Sequence, residues 1–160
     1  MNDLLHAPGF LGTNANFVAD ATLVVMLLTA TLFSVGFYLA RKEYFTAHKW
    51  VQTLGALLNL IMVLWMMVLP FRDFIIQDQG GSREGFFYVV TTLHAFTGLS
   101  ATIFGMFVVL RGHKIMPKFL RFNNYKPFMR VAYTLYIAAT LLGVAVYLVW
   151  FIFTKSPPTY

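Results

Sequence analysis

Residues 50–71 read WVQTLGALLNLIMVLWMMVLPF, and no Asp, Glu, Lys or Arg interrupts them. A helix of about 20 such residues crosses a hydrocarbon core of roughly 30 Å. Residues 21–40, 85–110 and 131–154 are equally free of formal charge. Four such runs in 160 residues leave almost nothing for a soluble domain. Charged residues make up 11% of the chain, against about 25% in soluble domains. A chain in lipid must pair every backbone N–H and C=O internally, as a helix bundle or a closed barrel. Barrel strands alternate apolar and polar residues. LVVMLLTATLF (residues 23–33) and LLNLIMVLWMMVL (residues 57–69) do not alternate. The expected fold is therefore an all-α integral membrane protein, a four-helix transmembrane bundle with up-down-up-down order. It forms one membrane domain over residues 1–160, with spans at about 17–40, 50–71, 85–110 and 131–154.

The net charge of +6 is not spread evenly. Arg41, Lys42 and Lys49 lie between the first two spans. Arg111, Lys114, Lys118, Arg121, Lys126 and Arg130 lie between the last two. These are nine of the twelve basic residues; Arg72, Arg83 and Lys155 lie on the other side. Lys and Arg concentrate in cytoplasmic loops, so both termini are expected outside. Placement in loops points to anionic lipid headgroups and away from nucleic acid. There is no cysteine, which excludes disulfides and thiolate metal sites. MNDLLHAPGF lacks the basic region of a signal peptide, so the first apolar run reads as a retained span.

The remaining segments are short. Residues 1–16, broken by Pro8 and Gly9, are expected at the outer interface. QDQGGSRE at residues 77–84 marks an outer turn at Gly80 and Gly81. Residues 116–122 mix basic and aromatic side chains and are expected along the inner headgroups; Pro157 and Pro158 end any last helix. Tyr44, Phe45 and Trp50 suit an inner aromatic belt, and Phe86, Phe87, Tyr88, Trp150 and Tyr160 an outer one.

Polar residues inside spans usually face the bundle interior. His48, Gln52, Gly55 and Asn59 share one helical face, as do Thr91, His94, Gly98, Ala101 and Gly105. Tyr133, Tyr136, Thr140, Gly143 and Tyr147 share another, and Thr22, Thr29, Gly36 and Ala40 a weaker one. Small residues permit close helix approach and polar ones bond across the interface. At 1.5 Å per residue, His94 lies about 14 Å and Asn59 about 18 Å from the outer edge. A structural Asn59–His94 pairing, bridged by water, is expected. His94, His48 and Asn59 are the candidate cofactor-binding positions. A haem b held by two histidines needs them at one depth. His48 is at the inner edge and His94 is roughly 24 Å from it, so these two cannot share an iron. His48 with His113, or His6 with His94, would need mobile loop ligands. No cofactor is therefore expected. No catalytic triad, phosphate loop or zinc-binding HExxH appears, and no enzyme activity is expected.

AHKWVQTLGALLNLIMVLWMMV, TLHAFTGLSATIFGMFVVL and NYKPFMRVAYTLYIAATLLGVAVYLVW carry a resemblance. They resemble the last three spans of small membrane proteins of the CtaM/YozB type, over about two thirds of the chain. The shared features are Ala47-His48-Lys49, Leu93-His94-Ala95, and a basic segment at residues 125–130 before an apolar run at 142–148. Where that family tends to carry two further histidines, this chain has Phe71-Arg72 and Tyr125-Lys126. The resemblance implies a four-span protein of the bacterial cytoplasmic membrane. It implies an accessory or assembly role beside a larger membrane redox complex, respiratory and related to haem–copper oxidases. The alternatives are a small haem b electron carrier and a quinone- or lipid-binding subunit.

Overall fold

The computed structural model describes residues 7–68, 85–120 and 124–153. The expected outer turn at Gly80 and Gly81, His6, Pro157, Pro158 and Tyr160 lie outside them. Four long helices account for most of the rest. Helix α1 is Phe17–Arg41. Its N-cap, Asn16, accepts a hydrogen bond from the Ala19 N–H at 2.9 Å, which satisfies one of the donors that open a helix. Helix α2 is Phe45–Met62, continued by a π-helical turn at Val63–Met67. Helix α3 is Gly85–Gly112. After a 3-10 turn at Lys118–Leu120, α4 runs over Tyr125–Leu148 and ends in a second π turn, Val149–Phe153. Pro127 falls in the first turn of α4, where its missing N–H breaks no helical bond.

Helices α2 and α4 begin five or six residues before the charge-free runs expected from sequence. A helix need not stop where the lipid stops, because Lys and Arg can extend their charges to water. The turns after α1 and α3 share one geometry. Tyr44 N–H bonds to Leu39 C=O and Glu43 N–H to Ala40 C=O; Ile115 N–H bonds to Leu110 C=O and Lys114 N–H to Arg111 C=O. These are Schellman closures, with Glu43 (φ 63°) and Lys114 (φ 61°) in the left-handed position that glycine usually fills.

Each helix packs on two others: α1 on α2 and α4, and α3 on α2 and α4. Asp20 near the start of α1 meets Tyr147 near the end of α4. Gly36 near the end of α1 meets His48 near the start of α2, and Thr53 of α2 meets His113 beyond the end of α3. Neighbouring helices therefore run in opposite directions.

The distribution of side chains is the reverse of a soluble bundle. Leu28, Leu57, Ile61, Trp65, Phe96 and Leu141 are exposed, while Asp20, Thr29, Asn59, Thr91, Thr102 and Thr140 are buried. Soluble proteins rarely expose such continuous apolar surface; in lipid the outside gains nothing from polarity, and packing and hydrogen bonds hold the inside. Most residues of the four polar stripes are buried or half-buried between helices, whereas Gly105 has open space at its Cβ position. Two belt assignments do not hold. Phe87 and Trp150 are buried, with rings stacked at 4.8 Å. The Trp150 Nε1–H donates to Thr91 Oγ1 at 2.9 Å, so the indole finds its partner inside the bundle rather than at the headgroups. Arg111, expected in the inner loop, is buried in the last turn of α3, its guanidinium 5.0 Å from the Tyr125 ring centroid.

Candidate functional site

Residues of all four helices line a central cavity of about 20 Å³. That is enough for one water and far below the several hundred Å³ of an organic-ligand pocket. The walls include Met26 of α1, Asn59 and Met62 of α2, His94 of α3, and Tyr136 and Thr140 of α4.

The structure brings His94 and Asn59 to this one cavity, and each also has a protein partner. His94 Nδ1 is 3.0 Å from the Ala139 carbonyl oxygen. Asn59 Nδ2 donates instead to Thr102 Oγ1 at 3.0 Å, and that hydroxyl donates to the Gly98 carbonyl at 2.8 Å. Thr102 follows Ala101 on the same helix and is itself buried. A Thr beside a small residue on the inward stripe was the available signal. Gly143 makes room for the His94 ring: a Cβ there would lie 2.5 Å from Met26 Sδ and 2.9 Å from His94 Cε1. The Tyr136 ring packs edge-on against Phe33 at 4.3 Å. Its hydroxyl is buried beside Thr29 and Thr140 without a hydrogen bond of good geometry. Both threonines are committed to their own helices, at Val25 and Tyr136 carbonyls.

His48 lies elsewhere. Its Nδ1 is 2.7 Å from the Gly36 carbonyl oxygen, while the His94 ring lies over Gly143 beside Met26, ten residues earlier in α1. At 1.5 Å per residue the two imidazoles are separated by about 15 Å along the bundle. Gln52 Nε2 donates to the Phe33 carbonyl at 3.2 Å, so His48 and Gln52 together tie α2 to α1. His113 takes neither: its Nε2 is 2.8 Å from Thr53 Oγ1, with the ring edge-on to Trp50. Among the described residues, His48, His94 and His113 each have their own backbone or hydroxyl partner. Among the described residues no group of three or more His, Cys, Asp or Glu could hold a metal.

Asp20 is the residue that sequence reasoning missed. It is fully buried. Tyr147 donates to its Oδ1 at 2.5 Å and the Leu11 N–H to its Oδ2 at 2.7 Å. Because the Tyr147 proton is used on Asp20, Thr13 Oγ1 donates to Tyr147 across 2.7 Å. Gly9 lies so close that a Cβ would overlap Asp20. The segment before α1 is thereby folded onto the bundle, with the Gly9 N–H on Ala15 C=O and the Phe17 N–H on Ala7 C=O, each at 2.9 Å. Counting the charge-free run from Ala21 hid the acid one residue before it.

These features define a helical, multi-pass membrane protein: three helices, Phe17–Arg41, Gly85–Gly112 and Tyr125–Phe153, are long and apolar enough to cross a membrane. No family model matches the chain, and no curated protein or solved structure is found to resemble it.

Proposed function

We propose that this chain crosses the bacterial cytoplasmic membrane four times with both termini outside, and serves as a non-catalytic accessory or assembly subunit of a larger membrane redox complex. One observation carries the reading. His94 and Asn59 each hold a protein partner around a space for a single water, while much of the outside between the ends is apolar and aromatic. Such a molecule has more to offer a neighbouring subunit than a substrate. The fourth crossing is α2 with its π turn, residues 45–67, which packs beside α1 and α3 like the others.

Orientation follows from charge. Arg41, Lys42, Lys114, Lys118, Lys126 and Arg130 are exposed at the end of the bundle that carries His48 and His113, and basic ends face the cytoplasm. Phe119, 83% exposed beside Lys118 on the 3-10 turn, gives that end a basic, aromatic contact for lipid headgroups or the partner. The resemblance of three spans to the CtaM/YozB type supports a respiratory complex related to haem–copper oxidases as that partner. In digitonin-solubilised membranes the protein should migrate with a larger redox complex on blue-native gels, and deleting its gene should lower the amount of assembled complex. Migration alone, with every respiratory complex intact in the deletion strain, refutes the role. A Soret band kept through purification and lost in His94→Ala would assign the chain to haem b carriers instead.

A further inference from the structure

The central cavity sets soft donors beside the polar groups of Asn59, Tyr136 and Thr140. His94 Nδ1 faces a carbonyl oxygen, which can only accept, so Nδ1 bears the proton and Nε2 keeps its lone pair. A histidine whose Nδ1–H is held by a backbone carbonyl is the arrangement that orients Nε2 ligands towards metals. Three methionines line the cavity with it: Met26, Met62 and Met67. Met26 Sδ and the His94 ring press on the same space above Gly143. Met26 and Met62 are almost wholly buried.

The presence of Met67 there depends on the backbone. Five residues of α-helix advance about 500°, which would turn Met67 some 140° away from Met62. The π turn closes with the Val68 N–H on the Val63 carbonyl, an i→i+5 bond, and this wider turn lets Met62 and Met67 reach one cavity. Such turns are uncommon and recur at functional sites. Methionine also fills core gaps without any metal. A gap filler, however, requires neither a π turn nor an oriented imidazole.

We propose that the cavity binds one cuprous ion through His94 Nε2 and the thioethers of Met26, Met62 and Met67. Thioether and imidazole donors select Cu(I). The cavity wall carries no carboxylate or thiolate, so a divalent ion would bring an uncompensated charge into the membrane interior, whereas a soft monovalent ion brings the least. The volume suits an ion or one water and nothing larger. This site is independent of the identity of any partner complex.

The test uses the full chain in dodecyl maltoside under anaerobic conditions, titrated with Cu(I) against bicinchoninate. One equivalent should be captured, and Cu(I) should shift the His94 Nε2 resonance in 15N spectra. Met26→Leu with Met62→Leu conserves core volume and should weaken capture at least tenfold with helicity unchanged. Met106→Leu, away from the cavity, should leave it unchanged. The proposal is overturned if the chain takes no Cu(I) from the competitor, which would leave the cavity to water. It is equally overturned if the double variant binds as tightly as the parent, or if Cu(I) binds without moving the His94 resonance.

Discussion

Tyr147→Phe is the sharpest probe of what holds the outer end of the bundle. The substitution keeps the ring, which packs against Phe151 at 5.2 Å, and removes one oxygen. That oxygen donates to a fully buried carboxyl and accepts from Thr13. Measured hydrogen bonds inside membrane bundles average about 0.6 kcal/mol because the unfolded state finds other partners. A buried acid deprived of its donor is costlier, on the order of 1.5–3 kcal/mol. Asp20 is shielded from water altogether, so the higher range governs, and we expect a loss of about 2 kcal/mol. Reversible unfolding in mixed dodecyl maltoside and SDS micelles reads it. Tyr133→Phe is the internal control: its hydroxyl is 3.1 Å from Ser34, itself bonded to Ala30, and should lose only about 0.5 kcal/mol. Hydrogen exchange separates the two carboxyl oxygens. The Leu11 amide rests on Oδ2, which Tyr147 does not touch, so its protection should survive Tyr147→Phe and vanish in Asp20→Ala. Equal losses for Tyr147→Phe and Tyr133→Phe, or strict additivity of Asp20→Ala with Tyr147→Phe, would refute the reasoning.

Three further outcomes are expected. Gly143→Ala forces a methyl into Met26 Sδ and the His94 ring and should cost about 1–3 kcal/mol as overpacking, whereas Gly105→Ala, with open space at its Cβ, should gain up to about 1 kcal/mol from helix propensity; both are read in the same unfolding assay. Glu43→Gly and Lys114→Gly relieve left-handed strain at two Schellman turns and should each raise stability by about 0.5–1 kcal/mol; lowered melting temperatures for both would show that those side chains contribute more than their backbone costs. With no native cysteine, Tyr44→Cys should label from the cytoplasmic side and Gly80→Cys from outside, and the reverse pattern would invert the orientation.

The helices were legible because charge is scarce. A run such as residues 85–110 admits only one structure in lipid, and the small or polar residue every third or fourth position fixes which face turns inward. His94, Asn59, Tyr136 and Thr140 were placed on a common interior by that spacing alone. Partners were not legible, because spacing gives a face and an approximate depth but no rotamer. His94 reaches across to a backbone carbonyl of α4, an acceptor that every residue offers and no sequence marks. Trp150 illustrates the same limit: position near a span end suggests the headgroups, while Phe87 and Thr91 on the neighbouring helix supply a better site. The π turn at Val63–Met67 left no signature in VLWMM, so the arrival of Met67 at the cavity could not be foreseen.

The polar groups also divide along the bundle in a way that bears on what it can do. At the outer end Asp20, Tyr147 and Thr13 close a network that spans α1, α4 and the preceding segment. At the inner end His48 and Gln52 tie α2 to α1, and His113 meets Thr53 of α2. Between them the walls are thioethers, an oriented imidazole and a hydroxyl with no settled partner. Methionine is the most adaptable of core side chains, so packing at the midplane can rearrange while both ends hold their register. A bundle meant only to be rigid would place its branched, well-packed residues at the centre. This one exposes Val24, Ile61, Ile103 and Val131 and keeps methionines and an imidazole at the middle, where an ion small enough for the cavity would be met from three of the four helices.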